Sequence, residues 1–167
     1  SDSSEMTLKL RELIIDQIEE EGAAVTPLLL NKIDEPDKSE KTIAIYVWAI
    51  GFTKDPNAVE DLIAIHRKNT SDICKWNALR SLSKIGDPKG GDYLLSVAKA
   101  TSDINKGNNE PDKFDILDLL AEMQYEKALP EMEVILKKDY KQYYWQSIFC
   151  FGKMGDRSLG YLLSKIN

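Results

Sequence analysis

The chain is short of the residues that most often carry chemistry. It has one histidine and two cysteines in 167 residues, and its 22 basic side chains are outnumbered by 28 acidic ones, a formal net charge of −6. It also lacks any run of about 18 apolar residues, the length a bilayer-crossing helix needs. Each shortage excludes something. Cys74 and Cys150 are too few for a disulfide framework and show no ligand-like spacing, so they are read as small core residues in a reducing, cytoplasmic protein. His66, followed by Arg67, is placed near a helix end, where a cationic side chain suits the dipole. Any Ser-His-Asp or Cys-His arrangement would have to use this one imidazole, and no Gly-x-Ser-x-Gly turn accompanies it. Neither an enzyme nor a metal or cofactor site is therefore expected. The acid excess argues against nucleic acid and anionic membranes, which both need a basic surface, and leaves a basic protein as the natural complement. The opening Ser-Asp-Ser-Ser-Glu has no basic region leading into an apolar one, so no signal peptide is expected.

What is present is repetition. Ser81-Leu82-Ser83-Lys84-Ile85-Gly86-Asp87-Pro88-Lys89 recurs as Cys150-Phe151-Gly152-Lys153-Met154-Gly155-Asp156-Arg157-Ser158. Each copy is followed by Leu-Leu-Ser, at 94–96 and 162–164. A third copy runs from Ile50-Gly51 through a three-residue insertion, Phe52-Thr53-Lys54, to Asp55-Pro56. A degenerate fourth reads Met123-Gln124-Tyr125 and onward to Met132. The anchors Gly51, Gly86, Gln124 and Gly155 stand 35, 38 and 31 residues apart, the period of a helical-hairpin array.

One unit can be read physically. Ile73, Cys74, Ala78, Leu79, Leu82 and Ile85 share one apolar helical face. Gly86 supplies the left-handed conformation that ends this helix, Asp87 caps the next, and Pro88 opens it. Asp55-Pro56 repeats that chemistry, and Asp156 keeps the cap without the proline. The glycines of Lys89-Gly90-Gly91 and Lys106-Gly107-Asn108-Asn109 follow no strand and are read as turn chemistry, the first pair at a helix start, and not as phosphate loops. Paired helices are expected at Leu8–Glu21 and Val25–Ile33, Glu40–Ile50 and Asn57–Lys68, Ser71–Ile85 and Gly90–Ala100, Asp112–Met123 and Leu129–Lys137, and Tyr140–Met154 and Ser158–Ile166. The predicted fold is all-α, one domain over 1–167, an α-solenoid of about five hairpins.

The runs Ile85-Gly86-Asp87-Pro88, Ala58-Val59-Glu60-Asp61-Leu62-Ile63, Ala128-Leu129-Pro130-Glu131-Met132 and Met154-Gly155-Asp156 resemble the short HEAT-like repeats of phycobilin-lyase type, in the armadillo-like superfamily. The likeness covers most of the chain from Ile43; the first unit, with only Gly22, Pro27 and Leu28 as echoes, suits a cap. The resemblance implies architecture and leaves activity open, among chromophore lyases, metal-dependent hydroxylases, DNA glycosylases and protein-binding scaffolds. A HEAT-type hydroxylase would need repeated His-Glu pairs, and a glycosylase a basic groove; this chain has neither.

Three features point to a protein-binding surface, each beside a plainer reading. The last first-helix carries Tyr140, Tyr143, Tyr144, Trp145, Phe149 and Phe151, more aromatic area than one interior face needs; these residues form a contact surface or seal the end of the array. Trp48 stands where equivalent positions are small, and either fills core or projects toward a groove or partner. Asp112, Asp115, Asp118 and Glu122 line one side of a helix, with Glu126 close behind, as a solvated face or a surface that captures a basic protein. The predicted partner-binding residues are thus Asp115, Asp118, Glu122, Glu126, Tyr140, Tyr144, Trp145, Phe149 and Trp48. The expected function is that of a non-enzymatic protein-binding module, monomeric when free. Its most concrete form is a bacterial immunity protein that inhibits a basic toxin, a nuclease, by covering its active site. The alternatives are a general HEAT-repeat adaptor and a bilin-binding lyase-like protein.

Overall fold

The computed structural model describes residues 2–101, 111–137 and 141–165. Among these residues every regular element is helical and no strand occurs. The α-helices are α1 (Asp2–Glu21), α2 (Thr26–Asp34), α3 (Glu40–Ile50), α4 (Val59–Lys68), α5 (Asp72–Ile85), α6 (Pro88–Ala100), α7 (Lys113–Glu122), α8 (Leu129–Leu136), α9 (Lys141–Met154) and α10 (Asp156–Leu163). Short 3-10 turns at Gly22–Val25, Gly51–Thr53, Pro56–Ala58 and Glu126–Ala128 lead into or out of them. Each helix expected from periodicity is present. None of the described helices is long and apolar enough to cross a membrane. The turn expected at Lys106-Gly107-Asn108-Asn109 lies outside the described residues.

The chain divides into two compact units, Ser1–Asp87 and Pro88–Asn167. In the first, α3 packs on α2 and α5, and α5 on α4. Val47, Ile50, Leu62, Leu79 and Leu82 are fully buried between them. Ser39 starts α3 by accepting the Thr42 N–H at 3.2 Å. The α3–α5 approach is close enough that a Cβ on Gly51 would lie 2.8 Å from Ser81 Cα. Polar side chains of α5 complete that seam: Ser81 Oγ donates to the Val47 carbonyl and Asn77 Nδ2 to that of Ala44, each at 2.8 Å.

The turn after α3 departs from expectation. Gly51 is right-handed, with φ −59°, and Lys54 takes the left-handed position at φ 53°. The inserted Phe52 and Thr53 wind into a buried 3-10 turn, with Thr53 Oγ1 donating to the Ile50 carbonyl at 2.8 Å, so the break falls three residues later. Gly51 is a glycine because of helix contact, not turn geometry. Asp55 then caps as expected, accepting the Asn57 N–H at 2.9 Å ahead of Pro56.

In the second unit α7 packs on α6 and α9, and α9 also on α8 and α10. Leu94, Ile116, Leu117, Leu120, Met132, Ile135 and Met154 form the core. Gln124 fills the glycine position at φ 59°, and its side-chain amide donates to the carbonyls of Ala121 and Lys153, at 3.2 and 2.6 Å. Asp156 is not the cap that was expected. It is the first residue of α10, and Gly155 stands at the cap position with φ 54° and ψ −131°, a conformation essentially open only to glycine. Because Gly155 takes the cap position itself, the helix begins one residue early. Gly90 and Gly91 stand at a helix start as expected, in the first turn of α6, and both are buried there. Apart from Asp37, the described residues with positive φ are Gly22, Lys54, Gly86, Gln124 and Gly155, spaced 32, 32, 38 and 31 residues apart.

Candidate protein-binding pocket

Asp112 begins the site. Its side chain accepts the N–H groups of Phe114 and Asp115 at 2.8 and 3.0 Å, and its own N–H is accepted by Asp115 Oδ2 at 3.0 Å, a reciprocal capping box. Two acids of the predicted stripe thus anchor the start of α7, where the helix dipole favours negative charge. One turn on, Asp118 shares the side of α7 occupied by Asp115, and Glu122 follows one turn later. On α9, Trp145, Phe149 and Lys153 recur every four residues, so they too share one side.

The two stripes meet. A pocket of about 400 Å³ is lined by Phe114, Asp115, Asp118, Trp145, Phe149 and Cys150. Phe114 is buried at 5% exposure, whereas Trp145 and Phe149 stand 72% and 63% exposed, an unusual display of ring surface. Below the pocket, Lys153 Nζ lies 2.6 Å from Asp118 Oδ1 and donates to Oδ2 at 2.7 Å. It also donates to Glu122 at 3.2 Å and stands 5.0 Å from the centre of the Phe149 ring. Burial pulls the Lys153 pKa down, but Asp118 and Glu122 outweigh it and hold the ammonium above the usual lysine range.

The pocket groups are shifted by their surroundings. Burial lifts the Asp115 carboxyl above the ordinary aspartate value; the Asp112 N–H opposes that rise, and the charges of Asp112 and Asp118 add to it. Burial pushes the Cys150 thiol up to about 12, with Asp118 adding and Lys153 opposing, so it is protonated at neutral pH. Asp118 and Glu122 thus share one lysine, while Asp112 and Asp115 accept backbone N–H groups at the start of the helix. Hydrogen bonding to the backbone satisfies an oxygen without cancelling its charge.

Of the predicted residues, Asp115, Asp118, Trp145 and Phe149 come together at this pocket. Glu122 lies just outside, on Lys153. Glu126 is elsewhere, 3.5 Å from Arg157 Nε of α10. Trp48 belongs to the first unit, half-buried and set edge-on to Phe52 with ring centroids 4.6 Å apart. Tyr140 lies outside the described residues, as does the side chain of Tyr144. Phe114, Cys150 and Lys153 were not anticipated at the site. Lys153 was signalled by its spacing of four and eight residues from Phe149 and Trp145.

Both cysteines are buried, as expected. His66 lies in the last turn of α4, as expected. Burial, then Lys75 and Arg67, lower its pKa below the usual value, which leaves the imidazole neutral at pH 7. Among the described residues no group of three or more His, Cys, Asp or Glu side chains is placed to hold a metal ion. The chain matches no protein-family model, and no curated protein matches it.

Proposed function

We propose that the chain is a non-enzymatic, HEAT-like helical-repeat module that binds another protein, and that this partner is basic. In its most concrete form it is an immunity protein that silences a cationic toxin, a nuclease, by occluding the active site. The observation that carries the reading is the pocket between α7 and α9, where exposed Trp145 and Phe149 face Asp115 and Asp118. Large rings with little conformational freedom are the residues on which binding energy concentrates. Carboxylates at the rim add charge selectivity and accelerate encounter. The repeat reading draws support from the packing of α3 on α5 and of α7 on α9, helices equivalent within successive hairpins, and from positive-φ residues that, Asp37 apart, recur every 31 to 38 positions.

The test is capture from the protein's own host with tagged wild-type chain and with Trp145→Ala, followed by mass spectrometry. The reading expects one basic protein, recovered in stoichiometric amount by the wild type and lost with Trp145→Ala, whose enzymatic activity falls when the purified wild-type chain is added. Several unrelated partners would make the protein an adaptor, and equal recovery by Trp145→Ala would remove the pocket from the interface.

A further inference from the structure

We infer that the pocket between α7 and α9 receives a single arginine side chain projecting from the partner protein. The inference rests on the reading of this pocket as the docking site and specifies what enters it. The lining decides the class of occupant first. Asp115 and Asp118 repel an anion, and a purely apolar group would leave both carboxylates facing a surface that cannot solvate them. The Cys150 thiol is protonated and brings no charge of its own. Asp118 is already matched by Lys153, so it is Asp115 that an apolar occupant would leave uncompensated, and what remains is a cation with apolar faces.

Two protein side chains are cationic, and the geometry separates them. The compact-ammonium position is already taken: Lys153 sits between Asp118 and Glu122 and lies over Phe149. A lysine from a partner would meet a carboxylate already paired with an ammonium, and would have to shed a strongly held hydration shell. A guanidinium is flatter, more weakly hydrated, and stacks on aromatic faces while its N–H fork reaches sideways. Trp145 and Phe149 supply the faces, and the carboxylate of Asp115, one turn up α7 from the Lys153 pair, supplies the acceptor. Asp115 Oδ2 is held by the Asp112 N–H, which fixes the carboxylate before any ligand arrives. The methylene stem of an arginine can lie along the exposed indole of Trp145.

A trimethylated ammonium would fit aromatic walls too, but it has no N–H to add to the one Asp115 already accepts from Asp112. Free arginine carries the same guanidinium, so the source is settled by whether the backbone is capped. The free amino acid adds an α-carboxylate, which Asp115 and Asp118 repel, and an α-ammonium, and both must shed water at the pocket mouth; a peptide-borne residue brings neither charge.

The experiment uses the full chain and three capped tripeptides, acetyl-Gly-X-Gly-amide with X as arginine, lysine or citrulline, together with free L-arginine. Binding is followed by the Trp145 indole N–H resonance, assigned through Trp145→Phe, up to about 20 mM ligand, so that millimolar affinity is visible. The inference expects the arginine peptide to shift Trp145 and to bind about tenfold tighter than the lysine and citrulline peptides and tighter than free arginine. It expects Asp115→Asn, which keeps an oxygen to accept the Asp112 N–H, to remove most of that preference. No shift of Trp145 with the arginine peptide, or equal shifts with lysine or citrulline, would overturn it. Tighter binding of free arginine would move the site to a small-molecule ligand and likewise overturn it. With the captured partner in hand, single arginine-to-lysine exchanges on its surface separate the two readings. Binding that needs Trp145 and Asp115 but no partner arginine defeats this inference and leaves the docking site standing; binding indifferent to both residues defeats the docking site itself.

Discussion

The ring of Tyr125 occupies the space beside Gly91 where any other residue would carry its Cβ: an atom built there lies 2.5 Å from Tyr125 Cε2. The ring is buried, and its hydroxyl donates to Asp92 Oδ1 at 2.5 Å, while Lys127 reaches the same carboxylate at 2.9 Å. Gly91 is thus explained by contact between α6 and the turn after α7. Gly91→Ala forces the ring away from both its packing and its hydrogen bond. Overpacking of this kind costs about 1–3 kcal/mol. Urea unfolding should show that loss, and Tyr125→Leu in the same chain should recover part of it, because the two substitutions share one clash. An unchanged midpoint for Gly91→Ala would mean that α6 yields without cost.

Gly86 is the opposite case. A Cβ there meets nothing within 4 Å, yet the backbone is left-handed at φ 76°, with its N–H donated to the Leu82 carbonyl at 3.2 Å. Gly86→Ala should destabilise by about 1 kcal/mol through conformation alone. Gly86→Asn should cost less, since asparagine visits this region more readily. Equal losses for the two variants would show that something other than the backbone angle is being paid for.

This contrast also marks what could be read from the sequence. Helix positions were legible because apolar spacing and the Gly-Asp-Pro signals are local, and Gly86 and Asp55 do what those signals say. Gly51 misled, since a glycine demanded by the Ser81 backbone looks in sequence like one demanded by a turn. Asp156 misled because Gly155, at φ 54°, takes the cap position itself, which nothing in the Gly-Asp pattern distinguishes from Gly86-Asp87. At the pocket, the acids and surplus aromatics were visible as patterns on two helices. That Lys153 bridges Asp118 and Glu122 was not, because it depends on how α7 and α9 align across about 35 residues of chain.

Glu133 of α8 gives the clearest pH dependence. Lys137 donates to it first, Tyr161 of α10 second, and together they hold its pKa down at about 2, against 4.5 for the free group. A depressed carboxyl contributes stability that is present above pH 4.5 and disappears as pH falls toward 2. Tyr161, raised to about 12 by burial and then by Glu133, behaves in the opposite sense: its contribution is full below pH 10 and is lost as pH rises toward 12. The α8–α10 contact should therefore weaken at both ends of the scale. Tyr161→Phe should move the Glu133 carboxyl titration upward in a carbon-detected NMR experiment and remove the alkaline loss. A Glu133 midpoint near 4.5 in the wild type would contradict the contact.

Lys153 carries a prediction that separates stability from attraction. Its ion pairs are partly exposed, so Lys153→Gln should change folding stability by less than about 1 kcal/mol. The same substitution leaves Asp118 and Glu122 without their counter-charge and strips a cation from over the Phe149 ring. A nona-arginine peptide, used as a purely electrostatic probe, should then bind about two- to threefold more tightly at low ionic strength, the effect expected of one removed surface charge. Asp118→Asn with Glu122→Gln should weaken it by a similar factor. Both changes should fade near 0.5 M salt, where the screening length is roughly 4 Å. Persistence at high salt would show that Lys153 acts on the pocket through its shape; loss of affinity in Lys153→Gln would mean that the lysine holds Asp118 and Phe149 in the geometry that binding requires.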